Sequence, residues 1–261
     1  MNDRVIVLEK RKASESRSPG DHKLIRKLTA HVERHIGRVG QVFHDLESDV
    51  VHIDILWVEP SPGRDFHTFV TCGMSEQPMQ PATQRCGCRY AELLLRLPRS
   101  WPLRPEDLRD PQNLWPVQEM EFLARMPHLH RVDLWGGDTV ANGDPGCRLQ
   151  PLNPATRFSA TILAEPDWTP SAFRRLRAGR GRKVRFFSVI PVYSEEFLLG
   201  QEQGGEALLD LLEQAGVDDL LDVNRPNLLV GADQRHREAD PSWNRRPARN
   251  VVDHDPELSP R

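Results

Sequence analysis

The sequence contains no long apolar run, and this absence argues against a membrane-spanning helix. Such a helix needs roughly 18 or more consecutive apolar residues, and no stretch of the 261 residues approaches that length. The first twelve residues, MNDRVIVLEKRK, hold four consecutive apolar positions between charged ones. A secretory signal has a longer apolar core. We therefore expect a cytoplasmic protein without a membrane partner.

Cysteine and net charge are also low. The chain has four cysteines, which we expect to be free thiols in a reducing cytosol. Cys86 and Cys88 form a C-x-C motif, but no second ligand pair of a zinc knuckle accompanies it. We therefore predict no metal and no other cofactor. The formal net charge of −3 gives no general attraction for nucleic acid.

The most specific string in the chain lies within residues 51–79 and begins with a predicted β-strand. Its side chains alternate between two sets, as a strand requires. One set is apolar throughout: Val51, Ile53, Ile55 and Trp57. The other begins polar and ends apolar: His52, Asp54, Leu56 and Val58. This asymmetry predicts a strand that is covered fully at one end and open at the other.

The prolines and the glycine of residues 59–65 end this strand, and Phe66–Cys72 is predicted to return as its antiparallel partner. We place this hairpin at the centre of a mixed, largely antiparallel sheet in a single α+β domain. Apolar stripes of helical period predict flanking helices at 21–36 and 115–126, the second ended by Pro127. Further predicted elements are strands at 41–46, 90–97, 132–135, 158–163 and 184–192, a loop at 166–182, and two helices between 194 and 215.

Composition divides the chain into three parts. Residues 1–19 are polar and of mixed charge, which predicts a flexible segment. Residues 20–231 carry the apolar periodicity of a folded domain. Residues 232–261 lose that apolar content, so we predict a disordered tail.

The string WVEPSPGRDFHTFVTCGMS, with RYAEL at 89–93, LPRSW at 97–101 and WPV at 115–117, resembles the suppressor of fused family. The resemblance runs from about Leu24 to about Gly231. It implies a mixed α/β domain that binds other proteins and has no recognised catalytic machinery. Animal members carry a second domain and clamp a peptide of Gli-type transcription factors, whereas we expect no such second domain here. Bacterial single-domain members act as immunity proteins beside polymorphic toxins, so the resemblance implies a toxin as partner.

The rim of the hairpin is the predicted partner-binding surface. It carries Glu59, Arg64, Asp65 and His67, with Trp57 supporting it from beneath. Its prolines hold the connection rigid and reduce the entropy that binding costs. A solvated turn with a local contact between Arg64 and Asp65 is the alternative interpretation.

Two other functions compete with protein binding. A metal-dependent hydrolase would draw on His52, Asp54, His67, His128 and His130, although no HExxH-like signature is present. A nucleic-acid-contacting regulator would use the basic residues of 174–183. The sequence places no nucleophile, base and orienting group together. We therefore predict a protein that is not an enzyme and has no catalytic residues.

Overall fold

A computed structural model describes residues 20–44, 51–80, 89–143, 149–179 and 181–230 of the chain. The chain divides into two compact units, residues 1–225 and 226–261. Every helix and strand reported below belongs to the first unit. The predicted flexible ends and the Cys86–Cys88 motif lie outside the described residues.

Among the described residues, eight strands form one sheet. They are β1 (Val39–Phe43), β2 (Asp54–Val58), β3 (Phe66–Cys72), β4 (Tyr90–Pro98), β5 (Thr139–Ala141), β6 (Ala160–Ala164), β7 (Arg175–Gly179) and β8 (Arg182–Val192). The order is β1-β2-β3-β4-β8-β6-β5, and β7 also pairs with β8. The β4–β8 pair is parallel, and the other pairs are antiparallel. The predicted mixed, largely antiparallel α+β architecture is confirmed.

The same residues contain four α-helices: α1 (His22–His35), α2 (Pro111–His130), α3 (Ser194–Gln203) and α4 (Gly205–Gln214). Two short 3₁₀ turns span Met74–Glu76 and Asp107–Arg109. The helices α1 and α2 pack on opposite faces of the sheet, so two apolar cores form. No described helix has both the length and the apolar character of a membrane span.

Helix α1 forms where the apolar stripe predicts it. Asp21 caps its first turn by accepting the backbone amides of Lys23 and Leu24 at 3.0 and 3.1 Å. Leu24, Leu28 and Val32, at i, i+4 spacing, are buried against the sheet.

The predicted hairpin is confirmed as the β2–β3 pair, with Asp54 opposite Cys72 and Trp57 opposite Phe69. The side chains also divide as predicted, because Ile55 and Trp57 face the α2 core whereas Leu56 and Val58 face the α1 core. The predicted central position is wrong. The parallel pair β4–β8 occupies the middle of the sheet. It joins strands that are almost a hundred residues apart, and local patterns do not predict such pairings.

Helix α2 continues past Pro127, so the predicted stop there is wrong. A proline lacks the backbone N–H and so removes one intrahelical hydrogen bond, but its carbonyl can still accept a hydrogen bond from a later amide. Here the Pro127 carbonyl accepts the amide of Arg131, which has the left-handed φ of 54° that ends the helix.

Two other sequence predictions need correction. Residues 132–135 are not a strand, because a turn forms there in which Asp138 accepts the Trp135 amide at 2.6 Å and donates its own amide to the Trp135 carbonyl at 3.0 Å. The predicted loop at 166–182 contains β7, which pairs with β8 in antiparallel register.

Candidate functional site

The connection between β2 and β3 is a tight turn held by the side chain of Arg64. Ser61 and Arg64 exchange two backbone hydrogen bonds of 2.9 and 2.8 Å. The Arg64 guanidinium folds back and donates to the Phe66 carbonyl at 3.2 Å, to the Thr68 hydroxyl at 3.3 Å and to the Glu59 carbonyl. Arg64 therefore fixes the shape of the rim and does not extend into solvent.

His67 is buried beneath the rim. Its Nδ1 accepts the indole N–H of Trp57 at 3.0 Å, so the ring carries its proton on Nε2. The ring also forms a hydrogen bond with the backbone of Arg99. Burial lowers the pKa of His67. His67 therefore acts as a neutral link between the hairpin and the end of β4, with Trp57 beneath the rim as predicted.

Glu59 and Asp65 are the exposed members of the predicted surface. The Asp65 carboxylate pairs with Arg99 at 2.8 Å, and both side chains remain largely in solvent. Its partner is thus Arg99 and not the adjacent Arg64. Glu59 accepts the Gln41 side-chain amide at 3.3 Å. The rim therefore presents two carboxylates on a turn that is fixed from within.

A cleft of about 520 Å³ lies at the same end of the sheet. Phe66, which follows the rim, pairs with Pro98 at the end of β4, and Pro98 lines the cleft. One wall consists of residues that follow β4, including Trp101, and the other consists of residues within 216–225. Val217, Leu220 and Val223 give the second wall half-exposed apolar side chains, and Asp218 and Asp222 are exposed on it.

Arg96 of β4 holds the second wall in place. Its buried guanidinium pairs with Asp218 at 2.8 Å and with Asp219. Asp219 also accepts the indole N–H of Trp168 at 2.8 Å and the hydroxyl of Ser188. A buried ion pair needs such additional hydrogen bonds to offset its desolvation. The network fixes the wall although 122 residues separate Arg96 from Asp218, a distance along the chain that no local signal in the sequence bridges.

A second buried ion pair fixes the end of this wall. Arg225 donates to the fully buried carboxylate of Glu196 at 2.8 and 2.6 Å and to the Pro191 carbonyl at 3.0 Å. Its guanidinium also lies 4.9 and 5.0 Å from the ring centroids of Phe158 and Tyr193. Buried ion pairs at Arg96 and at Arg225 therefore hold this wall of the cleft to the sheet.

The residues proposed for a hydrolase do not meet in one place. His67 bonds to Trp57 as described, and His128 donates Nε2 to the Met74 carbonyl at 2.9 Å. Only His52 and Asp54 lie together, 2.9 Å apart. His44, which is not among the predicted hydrolase residues, lies beside them.

The basic segment 174–183 is partly neutralised. Arg174 pairs with Glu165 and Asp167, and Arg182 pairs with Asp21 at 3.2 Å. These pairs remove two of the charges on which nucleic-acid contact would depend.

Known proteins resemble this chain in sequence and in fold. The sequence profile of the suppressor of fused protein (SUFU) matches residues 49–226. The structure of the SUFU homolog of Neisseria gonorrhoeae is similar, with a TM-score of 0.56 and 16% identity over 81% of this chain and 100% of that one. A chain of the Sufu–Fu complex matches with a TM-score of 0.55 and 14% identity over 81% of this chain and 95% of that one.

No curated protein matches the sequence. The two structural matches have low identity and establish the fold alone. The profile, in contrast, covers more than half of the chain and includes the hairpin, β4 and both walls of the cleft. The chain therefore belongs to the suppressor of fused family.

Proposed function

We propose that this protein is a non-enzymatic domain that binds a protein partner through the hairpin rim and the adjacent cleft. The observation that carries the proposal is the rigid construction of this end of the sheet. Arg64 and His67 fix the rim, while Arg96 and Arg225 fix the cleft wall. A preordered surface loses little conformational entropy on binding, so more of the contact energy appears as affinity.

The chemistry of the cleft suits a peptide segment or loop of a partner. Trp101 on one wall and the half-exposed Val217, Leu220 and Val223 on the other give the cleft an apolar lining, and aromatic anchors such as Trp101 are frequent at interface hot spots. The exposed carboxylates of Asp218 and Asp222 lie at its margin, and those of Glu59 and Asp65 lie on the rim. Asp218 and Asp65 already pair with Arg96 and Arg99, so Glu59 and Asp222 are the main candidates to bind cationic groups of a partner. The complementary partner segment has an apolar side chain flanked by basic residues.

The partner that we propose is a toxin, which the domain neutralises by binding in the cytoplasm. This follows from the resemblance to bacterial single-domain members of the family. The Neisseria gonorrhoeae homolog, all of whose chain is matched by this one, is a bacterial protein with the same fold. That one of the similar structures is a complex, the Sufu–Fu complex, supports protein binding as the activity.

The test is a binding and protection assay with the toxin candidate encoded beside this gene. We expect a stable complex of the purified proteins and rescue of cells that express the toxin. Loss of rescue in Val223→Glu, which puts a charge on the apolar wall of the cleft, would link rescue to the cleft. Absence of both complex and rescue would reject this toxin as the partner. Turnover of a substrate by the isolated protein would reject the proposal that the protein is not an enzyme.

A further inference from the structure

Three side chains with metal-binding atoms meet at the start of β2. His44 Nδ1 lies 3.2 Å from Asp54 Oδ1, and His52 Nε2 lies 2.9 Å from the same oxygen. The three donor atoms all lie within 4.8 Å of one another. This is the only such group of three among the residues that the structure describes.

The sheet itself brings these residues together. Phe43 pairs with Ile55 in the antiparallel β1–β2 register, so the next residue on each side places His44 opposite Asp54. His52 precedes Asp54 by two residues, and this spacing puts both on one face of an extended chain. The pairing of Asp54 with Cys72 of β3 fixes β2 from its other side. The site is therefore built by strand register and not by flexible side chains alone.

The spacing of the donor atoms fits a transition metal. Zinc–ligand bonds of about 2.0–2.1 Å in a tetrahedron separate the ligand atoms by about 3.3 Å. The two distances to Asp54 are 2.9 and 3.2 Å. Imidazole nitrogen with one carboxylate oxygen is a donor set for zinc and its neighbours, whereas magnesium and calcium take oxygen ligands.

The surroundings allow an ion to enter. The Asp54 side chain is 7% exposed and His52 is 21% exposed, whereas His44 is 68% exposed. Two ligands are thus held within the fold, and the third closes over them from the solvent side.

We propose that His44, His52 and Asp54 form a binding site for one divalent transition-metal ion of the zinc class, with a coordination position left open to solvent. This proposal replaces the sequence-based prediction that the protein holds no metal. The ion joins the end of β1 to the start of β2 and stabilises the edge of the sheet. The proposal does not depend on the partner-binding function, because the assay below needs no partner.

The experiment uses the full chain after removal of metal with a chelator. Zinc is titrated against a competing indicator, and cobalt is used as a spectroscopic substitute. We expect one equivalent bound at micromolar protein concentration, an increased unfolding temperature, and a cobalt spectrum without a thiolate charge-transfer band. A large excess of magnesium should not compete.

Four variants locate the site. His44→Ala and His52→Ala should each weaken zinc binding at least about tenfold, a loss that even removal of an outer supporting residue can cause. His130→Ala removes a histidine outside the group and should bind as the parent does. The double variant Cys86→Ser/Cys88→Ser should also bind normally. Because His44 is exposed, the metal-free His44→Ala protein should unfold at the parent temperature, which separates ligand loss from misfolding.

Several results would overturn the proposal. These are failure of zinc to bind at micromolar concentration, normal binding in both histidine variants, and loss of binding in the cysteine double variant. A zinc-dependent increase in unfolding temperature that persists in His44→Ala and His52→Ala would also place the ion elsewhere.

Discussion

Replacement of Glu92 by alanine should strongly destabilise the protein, because this carboxylate organises the turn after β3. Glu92 is fully buried. Its Oε1 accepts the amides of Gly73 and Ser75 at 3.1 and 3.0 Å and the Ser75 hydroxyl at 2.6 Å, while Oε2 accepts the Thr71 hydroxyl at 2.6 Å. Burial raises the pKa of Glu92, and these hydrogen bonds act in the opposite direction.

The turn that Glu92 holds has no room to adjust. Gly73 has a φ of 139°, and a Cβ built there would lie 1.8 Å from the His52 carbonyl oxygen. In Glu92→Ala the two backbone amides lose their acceptor and cannot move to solvent. At about 1–3 kcal/mol for each unsatisfied buried group, the free energy of unfolding should fall by about 2–6 kcal/mol.

Glu92→Gln is the matched control. Its carbonyl oxygen can take the place of Oε1, and its amide group can donate to Thr71 Oγ1, whose proton can turn towards the Leu93 carbonyl at 3.5 Å. The expected loss is about 1 kcal/mol. Urea unfolding of both variants measures the difference, and hydrogen exchange of the Gly73 and Ser75 amides localises it. An alanine variant within about 0.5 kcal/mol of the parent, or a glutamine variant equally damaged, would refute this reasoning.

Three further predictions concern buried and half-buried groups. Trp57→Ala should lower the free energy of unfolding by about 3–5 kcal/mol, because the side chain is 4% exposed and supports His67; a loss below about 0.5 kcal/mol in urea unfolding would contradict its packing. Arg225→Ala should cost about 3–5 kcal/mol in the same assay because it leaves the Glu196 charge buried without its partner, and an unchanged midpoint would contradict this. Desolvation raises the pKa of the half-buried Glu119 from 4.5 to about 7; the folded state then binds the proton more tightly, so the contribution of Glu119 to stability is fully present below about pH 4.5 and is lost as the pH rises through about 7. Unfolding midpoints between about pH 4.5 and 8 should show a smaller decline in Glu119→Gln, and equal declines would exclude Glu119 as the cause.

Sequence patterns predicted the parts of this fold that depend on neighbours in the chain. The alternation around Trp57 gave the correct strand and the correct division of its faces, because period two determines which side chains share a face. The stripe of Leu24, Leu28 and Val32 likewise gave α1. The parallel β4–β8 pairing was missed because it depends on packing between distant segments.

The site shows the same limit. The prolines, glycine and charges of the rim marked it as a rigid turn, but the sequence did not show that Arg64 and His67 are used within the fold. The cleft wall at 216–225 was missed, because Arg96 reaches it across 122 residues. His44 was missed for a different reason. Its relation to Asp54 depends on the β1–β2 register, which a spacing of ten residues does not reveal.

Charge reversal tests most directly whether a protein partner binds at the rim and cleft. Asp65 and Asp222 are exposed on this surface, and the exposed Glu202 on α3 provides a control of equal charge change. Affinity for the identified partner should fall at least about tenfold in the double variant Asp65→Lys/Asp222→Lys, mostly through slower association at low salt. Glu202→Lys should bind as the parent does, and all variants should unfold at the parent midpoint. Equal affinities for the parent and the double variant would contradict the claim.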